Sequence, residues 1–185
     1  MPRILMLAGD AAEALEVFYP KYRLEEEGWK VDLAAPARKA IRTVVHDFEP
    51  GFDTYTEKPG YRIEADLAID EVEADGYDAL VLPGGRAPEY LRNIPRVVEI
   101  VGHFMGEGKP VAATCHAVLI LAAAGSLGGR ALTCYPQCAP DARGAGGEFV
   151  DREVVVDGNL VTARAWNDNA PWMREFVKLV RSRTA

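Results

Sequence analysis

Residues 109–125 read KPVAATCHAVLILAAAG, which is an apolar run, a Cys-His pair and a second apolar run. The first run is short enough for a buried strand, and the second has the composition and length of a helix. Cys115 is therefore predicted to lie where a strand turns into a helix. A free cysteine in an apolar run is usually a small core residue, so a reactive role for Cys115 needs support from the rest of the chain.

Strand-like and helix-like segments alternate along the whole sequence, without an internal repeat. Residues 3–9, RILMLAG, predict a first buried strand, and residues 77–85, YDALVLPGG, predict a central strand because their apolar run is continuous. Residues 95–108, PRVVEIVGHFMGEG, have the pattern of an amphipathic helix. This order predicts an α/β fold with a mostly parallel central sheet, and 185 residues suit a single domain over 1–185.

Three further segments have local signals. Residues 10–28 predict the first helix, with Glu13 as its capping residue and Gly28 as its end. The sequence around Asp157 and Gly158 predicts a hairpin. Residues 38–62 are punctuated by proline and glycine, and we expect an irregular excursion over the sheet edge or over the site.

The composition limits the classes of function. The chain is 49% hydrophobic and 26% charged, which is typical of a globular protein, and its net charge of -7 argues against nucleic acid as a partner. The apolar run before Asp10 is too short for a signal peptide or a membrane span, so we expect a cytoplasmic protein with no membrane partner. Three cysteines do not indicate a disulfide framework.

Two predicted strands end in residues that carry chemistry, LPGG at 82–85 and ATC at 113–115. In open α/β sheets, ligands bind beyond the carboxyl ends of the strands. The amides of Gly84 and Gly85 could complete an oxyanion pocket, or the two glycines could form an ordinary turn. A helix that starts after Cys115 is predicted to lower the pKa of its thiol from about 8.5 toward roughly 3.5–7.5, which would give a thiolate.

The candidate partners of Cys115 are one histidine and two acids. His116 could act as a general base if the turn is tight. Glu16, in the first helix, could place a protonated carboxyl near Cys115, although a solvated helix acid is the simpler interpretation. Glu89 is a third acid on the same side, and a surface ion pair would also explain it.

Other polar residues give weaker signals. Cys134 and Cys138 have no zinc-like partner spacing, so we expect them in the core or in a pocket wall, and we predict no metal site. His46 could bind a ligand together with Asp47 or have only a structural role, and His103 has the position of a helix-face residue. No nucleotide-binding motif is present, so no cofactor is predicted.

Four stretches, in this order, carry a family resemblance: GDAAEALEVFYP, YDALVLPGGRAPEYL, GKPVAATCHAVLILAAAG and WMREFVKLV. Together they resemble the ThiJ/PfpI superfamily, and the resemblance runs over nearly the whole chain. It implies a flavodoxin-like, three-layer α/β/α sandwich of the class I glutamine amidotransferase type, with a nucleophile elbow. It also implies a homodimer or a homohexamer.

The resemblance assigns roles to individual residues. Cys115 matches the family nucleophile, and Glu16 matches the acid that hydrogen-bonds it. His116 matches the second member of the triad in the PfpI-like branch. Glu89 matches the acid that orients this histidine from a neighbouring subunit, which would place Glu89 near a subunit interface.

The oxyanion donors implied by the resemblance are Gly85 and the backbone of the elbow, which includes Ala117. The sequence departs from the family at this point. The family pattern is CHGP, but this chain has CHAV, so Ala117 and Val118 replace the usual glycine and proline.

The resemblance leaves three functions open. The first is a glyoxalase III type enzyme that converts methylglyoxal to lactate without glutathione or metal, with possible deglycase-like activity. The second is a PfpI-type cysteine peptidase or amidase that acts on small peptides with an intersubunit Cys-His-Glu triad. The third is a redox-sensing stress protein without enzyme activity, in which Cys115 is oxidised to a sulfinate beside a protonated Glu16.

Overall fold

The computed structural model describes residues 1–184, which form strands and helices in alternation. The strands are β1 (Arg3–Leu7), β2 (Lys30–Ala35), β3 (Ala40–Phe48), β4 (Tyr55–Glu64), β5 (Leu67–Ala68), β6 (Ala79–Leu82), β7 (Val111–Thr114), β8 (Ala131–Leu132), β9 (Glu148–Phe149), β10 (Val154–Asp157) and β11 (Leu160–Ala163). The helices are α1 (Ala14–Glu26), α2 (Ala87–Leu91), α3 (Pro95–Gly106), α4 (Val118–Ala123), α5 (Ala139–Gly144) and α6 (Asn169–Thr184).

The central sheet has seven strands in the order β10-β11-β7-β6-β1-β2-β5. All neighbouring pairs are parallel except β10 and β11, which form the predicted hairpin. From β1 the chain moves outward to β2 and later returns to β6 on the other side of β1. This reversal of direction opens a crevice at the carboxyl ends of β1 and β6, where α/β folds bind their ligands.

Helices cover both faces of the sheet, which explains the continuous apolar strands. The four residues Ile4–Leu7 of β1 are fully buried. Helices α1 and α6 contact each other, and α4 contacts α2, α3 and α5. Phe104, Trp172 and Phe176 are the largest fully buried side chains. The predicted three-layer α/β/α architecture is confirmed.

The segment 38–62 differs from its prediction. It is not an irregular excursion but most of an antiparallel ribbon, the β3–β4 ribbon, in which His46 lies opposite Glu57. Pro59 stands opposite Val44, next to a register shift, and does not end the strand. A two-stranded ribbon has free edges, so a proline without an N–H donor is tolerated there. Within residues 1–184, no helix is long and apolar enough to cross a membrane.

Candidate active site

Cys115 lies at a sharp turn between β7 and α4. Its φ of 58° is in the left-handed region, which is uncommon for a residue with a side chain. One 3₁₀ turn, Cys115–Ala117, separates the strand from α4, which begins at Val118. This is the geometry of a nucleophile elbow, which presents its side chain above the end of the sheet. The predicted position of Cys115 is confirmed.

His116 is in direct contact with the thiol. Its Nδ1 lies 3.2 Å from Sγ of Cys115. The ring stacks on Tyr135, with 5.2 Å between the ring centroids. Burial, together with the charge of His46, lowers the pKa of His116 to about 4. His116 is therefore neutral near pH 7, and its Nδ1 can accept a hydrogen bond from the thiol.

Glu16 extends from α1 into the crevice and is fully buried. Its Oε2 accepts a hydrogen bond of 2.8 Å from the amide of Gly84. Burial, reinforced by the charge of Glu13, raises the pKa of Glu16 well above its ordinary value. The Cys115 thiol and the Trp166 amide act in the opposite direction, but Oε1 makes no hydrogen bond of ordinary geometry within residues 1–184. Burial therefore favours the protonated form of Glu16, which was one of the two interpretations that the sequence left open.

Glu13 is the N-cap of α1, as predicted. Its Oε2 accepts a hydrogen bond of 3.0 Å from the amide of Glu16. The side chain is only 1% exposed, although N-caps are usually solvated. Burial raises the pKa of Glu13 to about 7. Two buried acids thus lie one helical turn apart at the start of α1.

Two positions of the site require glycine, because a side chain on either one would overlap neighbouring atoms. A Cβ on Gly84 would lie 2.5 Å from Cβ of Cys115 and 2.6 Å from Oε2 of Glu16. Gly85 has a φ of 75°, and a Cβ on it would lie 2.4 Å from the backbone of Ala11 and Glu13. The sequence LPGG therefore lets β6, α1 and the elbow meet.

The predicted thiolate is wrong for the resting site. Burial raises the pKa of the Cys115 thiol well above its ordinary value, and a charge on the Glu16 carboxyl would raise it further. Cys115 as a residue is 6% exposed, and it begins only a single 3₁₀ turn that leads into a short helix. Desolvation therefore outweighs the helix N-terminus. The amides of Gly85 and His116 face the sulfur and oppose this shift.

The amides of Gly84 and Gly85 have different partners, which corrects the prediction for Gly84. Its N–H is already bound to Glu16, so it is not available to an oxyanion. The amide of Gly85 faces the Cys115 sulfur and remains a candidate donor. Ala117 is buried in the turn after Cys115, and its donor role stays a prediction.

Glu89 is not brought to His116 within one chain. It lies on the exposed side of α2, and no hydrogen bond or ion pair joins its carboxyl to His116 in residues 1–184. Its charge acts instead on Tyr55 and Cys138. The intersubunit role of Glu89 therefore stays a prediction.

The sequence interpretation missed the residues that the β3–β4 ribbon contributes. The ring of Tyr55 lies 4.4 Å from His46 and 6.0 Å from His116, centroid to centroid. Nε2 of His46 is 3.1 Å from Glu57, whose carboxylate is also bound by Nε and Nη2 of Arg86 at 2.7 and 2.8 Å. The β-branched residues of 41–45, IRTVV, were the signal for a strand in this segment.

Neither a metal site nor a cysteine pair supplements the elbow. Within residues 1–184, no group of three or more His, Cys, Asp or Glu side chains is placed to hold a metal ion. Cys134 and Cys138 are buried, as expected for core or pocket-wall residues. His46 is 5% exposed and bound to Glu57, which is a structural setting. His103 lies on α3, as predicted.

A cavity of about 300 Å³ lies on the far side of Tyr135 from the elbow, and neither Cys115 nor His116 lines it. Tyr135, the residue that stacks on His116, forms one wall. The other lining residues are Phe48, Pro136, Asp151, Arg164, Ala165 and Asn167. A larger cavity of about 610 Å³ lies between α1 and the β3–β4 ribbon, and no residue of the elbow lines it.

Comparison with known proteins identifies relatives of this chain. The family model described as the DJ-1/PfpI family matches residues 2–179. The chain is 47% identical over 179 residues to a deglycase of Pyrococcus abyssi and to the deglycase PfpI of Pyrococcus furiosus, covering 97% of this chain and 99% of each relative. A ThiJ/PfpI domain protein from Brachyspira murdochii superposes with a TM-score of 0.85 at 24% identity, over 97% of this chain and 96% of that one.

Proposed function

Because the chain belongs to the DJ-1/PfpI family, we propose that it is a Cys115-dependent enzyme that acts on small carbonyl compounds, free or attached to an amine. The observation that carries the proposal is the contact of 3.2 Å between the buried Cys115 thiol and a neutral His116. Its relatives are named deglycases, which supports chemistry at a carbonyl adduct. Methylglyoxal is the simplest substrate of this kind.

The first step is addition of the thiol to the aldehyde. His116 takes the proton from Cys115 as the sulfur bonds to the carbonyl carbon, so no thiolate needs to exist beforehand. The carbonyl oxygen becomes the oxygen of a hemithioacetal, and the amides of Gly85 and His116, which face the sulfur, are the candidate donors for its developing charge. The proton thus leaves the thiol during the attack, and the reaction does not need a thiolate in the resting site.

The later steps move hydrogen within the substrate. A proton leaves the former aldehyde carbon and another is added to the neighbouring ketone carbon, which passes through an enediol and yields a thioester. Glu16, protonated and beside the sulfur, and His116 are the groups that carry these protons. Water then cleaves the thioester to lactate and the free thiol. The aldehyde carbon is oxidised and the ketone carbon is reduced, so no external oxidant or cofactor is needed.

Deglycase-like activity would use the same attack. With an adduct between methylglyoxal and an amine, the carbon bound to nitrogen accepts the sulfur and the amine leaves with a proton. The burial of Cys115 favours such small adducts over an extended peptide, which is the substrate of the peptidase alternative. The cavity beside Tyr135 would hold the part of the adduct that does not react.

A second copy of the chain is part of the proposal. Exposed apolar side chains of Leu15, Tyr22 and Tyr61 border the larger cavity on α1 and the β3–β4 ribbon, and such a patch favours self-association. Glu89 is exposed and free to meet a neighbouring subunit. Light scattering at several concentrations tests this part, with Tyr61→Asp expected to lower the oligomer mass.

The test of the function compares wild type, Cys115→Ala and Cys138→Ala. Each is incubated with methylglyoxal in the absence of glutathione, with a methylglyoxal adduct of an amine, and with a fluorogenic peptide panel. We expect Cys115→Ala to lose the lactate-forming activity by at least about a thousandfold. Cys138→Ala, a second buried cysteine, should stay within about threefold of wild type.

Three outcomes would contradict the proposal. Full turnover by Cys115→Ala excludes a cysteine nucleophile. Cleavage of peptides without carbonyl turnover favours the peptidase. Stoichiometric oxidation of Cys115 by mild peroxide, together with no turnover of any substrate, favours the redox sensor.

A further inference from the structure

Glu13 is an unusual N-cap because of its residue type and its burial. Ser, Thr, Asp and Asn are the preferred capping residues, and one acceptor oxygen is sufficient for a cap. Glu13 uses Oε2 for this purpose, at 3.0 Å from the Glu16 amide. Its Oε1 is buried and makes no hydrogen bond of ordinary geometry within residues 1–184, although the amides of Leu15 and His46 face the carboxyl. Burying a carboxyl with one unpaired oxygen costs free energy, so capping alone does not explain it.

The backbone holds Glu13 rigidly in the crevice. Its amide donates to the carbonyl of Gly84 at 3.3 Å. The residue bridges to Val44 of the β3–β4 ribbon, and a Cβ on Gly85 would lie 2.4 Å from its nitrogen. Glu13 therefore contacts the loop after β6 and the ribbon, and the next turn of its own helix carries Glu16. A change in the charge of Glu13 therefore alters the electrostatic potential at Glu16. The close contacts of Glu13 leave it little room to move away.

The groups that face Glu13 come from two elements. From α1 they are the amides of Leu15 and Glu16, and from β3 they are the Asp47 carboxylate and the amide of His46. The Glu16 carboxyl is also near enough for the charge of Glu13 to raise its pKa. Glu16 in turn faces the Cys115 thiol and the amides of Gly84 and Trp166. Glu13 therefore lies next to Glu16, and Glu16 lies next to the Cys115 thiol.

We propose that Glu13 is a positioning residue for Glu16, which it orients through the first turn of α1 and whose proton it retains through its own negative charge. A charge on Glu16 raises the pKa of the Cys115 thiol, so the sulfur ionises more readily while Glu16 keeps its proton. When Glu13 is ionised, the Glu16 carboxyl stays protonated, and negative charge can develop on the sulfur. When residue 13 is neutral, Glu16 loses its proton more readily, and its carboxylate opposes charge on the sulfur.

The test uses Glu13→Gln, which keeps an acceptor oxygen for the cap and removes the charge. Alkylation of Cys115 by iodoacetamide is followed by mass spectrometry between about pH 5 and 10, since this reaction reports the thiolate fraction. We expect the alkylation rate of Glu13→Gln to fall about tenfold below that of wild type at about pH 8.5, where Glu13 of the wild type is ionised because its pKa is about 7. Glu13→Ser, an ordinary cap without charge, should behave like Glu13→Gln.

Two comparisons separate charge from structure. Glu26→Gln removes an exposed acid from the other end of α1 and should leave the profile unchanged. In a Glu16→Gln background, Glu13→Gln should have no further effect, because the proposed effect passes through the Glu16 carboxyl.

A wild-type profile in Glu13→Gln or Glu13→Ser, with the fold intact by circular dichroism, would overturn the proposal. So would a full additional effect in the Glu16→Gln background. The readout needs no substrate, so its failure is distinct from failure of the proposed carbonyl chemistry. An enzyme inactive on methylglyoxal would still show the shifted alkylation profile.

Discussion

Glu16 and Gly84 are joined by a hydrogen bond that leaves no room for a side chain on Gly84. The amide of Gly84 donates to Oε2 of Glu16 at 2.8 Å, and a Cβ on the same glycine would lie 2.6 Å from that oxygen. The contact therefore depends on the absence of a side chain. It connects the end of β6 to the buried acid of α1, and the elbow lies against the same glycine.

Gly84→Ala should disrupt the site and destabilise the fold. The added methyl group would overlap Cβ of Cys115 and Oε2 of Glu16, and we expect a loss of about 1–3 kcal/mol of unfolding free energy. Cys115 alkylation should also change, because the elbow must move. Gly102→Ala is the matched control, since a Cβ there meets nothing within 4 Å and the site is helical. Equal melting temperatures for both variants would contradict the prediction.

The buried acids make stability fall as pH rises through neutrality. The pKa of Glu13 is raised to about 7, so its folded form holds a proton that the unfolded chain releases above about 4.5. The stabilisation is present below the unfolded pKa and is lost as pH rises through 7. Allowing for partial solvent screening, we expect about 1–2 kcal/mol less unfolding free energy at pH 8.5 than at pH 5.5.

Urea unfolding at several pH values measures this slope. Glu13→Gln should flatten it, whereas Glu26→Gln should keep it. Glu57 contributes in another window, because Arg86 lowers its pKa to about 2, and its stabilisation is lost only in acid. A stability that rises steadily between pH 5.5 and 8.5 in wild type would be inconsistent with a protonated Glu13.

Glu57→Gln should loosen the β3–β4 ribbon over the site. Glu57 accepts two hydrogen bonds from Arg86 and contacts His46, so the neutral amide leaves a guanidinium without its ionic partner. The pair is partly exposed, so we expect a loss of only about 1 kcal/mol. Hydrogen exchange of residues 40–64 should quicken, while that of the central sheet stays slow. Glu64→Gln, an exposed acid of the same strand, is the control, and equal exchange in both variants would refute the role of Glu57.

The fold was predictable because β1 and β6 are continuous apolar runs and because helix-like segments alternate with them. Those features follow from burial on both faces of a parallel sheet, which is a local property of each strand. The β3–β4 ribbon was missed because Pro59 and Gly60 are loop signals in most settings, whereas an edge ribbon accepts them.

The site was only partly predictable for a related reason. The position of Cys115 follows from the order of strand and helix, but the raised pKa of its thiol depends on the burial produced by α1, the loop after β6 and the elbow together. The division of amides, Gly84 to Glu16 and Gly85 to the sulfur, is equally a product of tertiary contact. The proximity of Tyr55 and Tyr135 to His116 required the ribbon, whose placement no local pattern specifies.

Ala117 tests whether the departure from the family pattern CHGP alters the elbow. Its side chain is fully buried in the turn after Cys115, and its φ of -60° is ordinary for any residue. Ala117→Gly therefore removes a packed methyl group and adds backbone freedom to the unfolded chain without relieving strain. We expect a loss of about 1–2 kcal/mol of unfolding free energy.

The reactivity of the site should be unaffected, because the φ of Cys115 and its contact with His116 do not depend on that methyl group. Alkylation of Cys115 in Ala117→Gly should stay within about threefold of wild type. Ala122→Gly, in the helix α4 that follows, is the matched control for the loss of helix propensity alone. A change of tenfold or more in alkylation that Ala122→Gly does not share would show that residue 117 sets the geometry of the elbow.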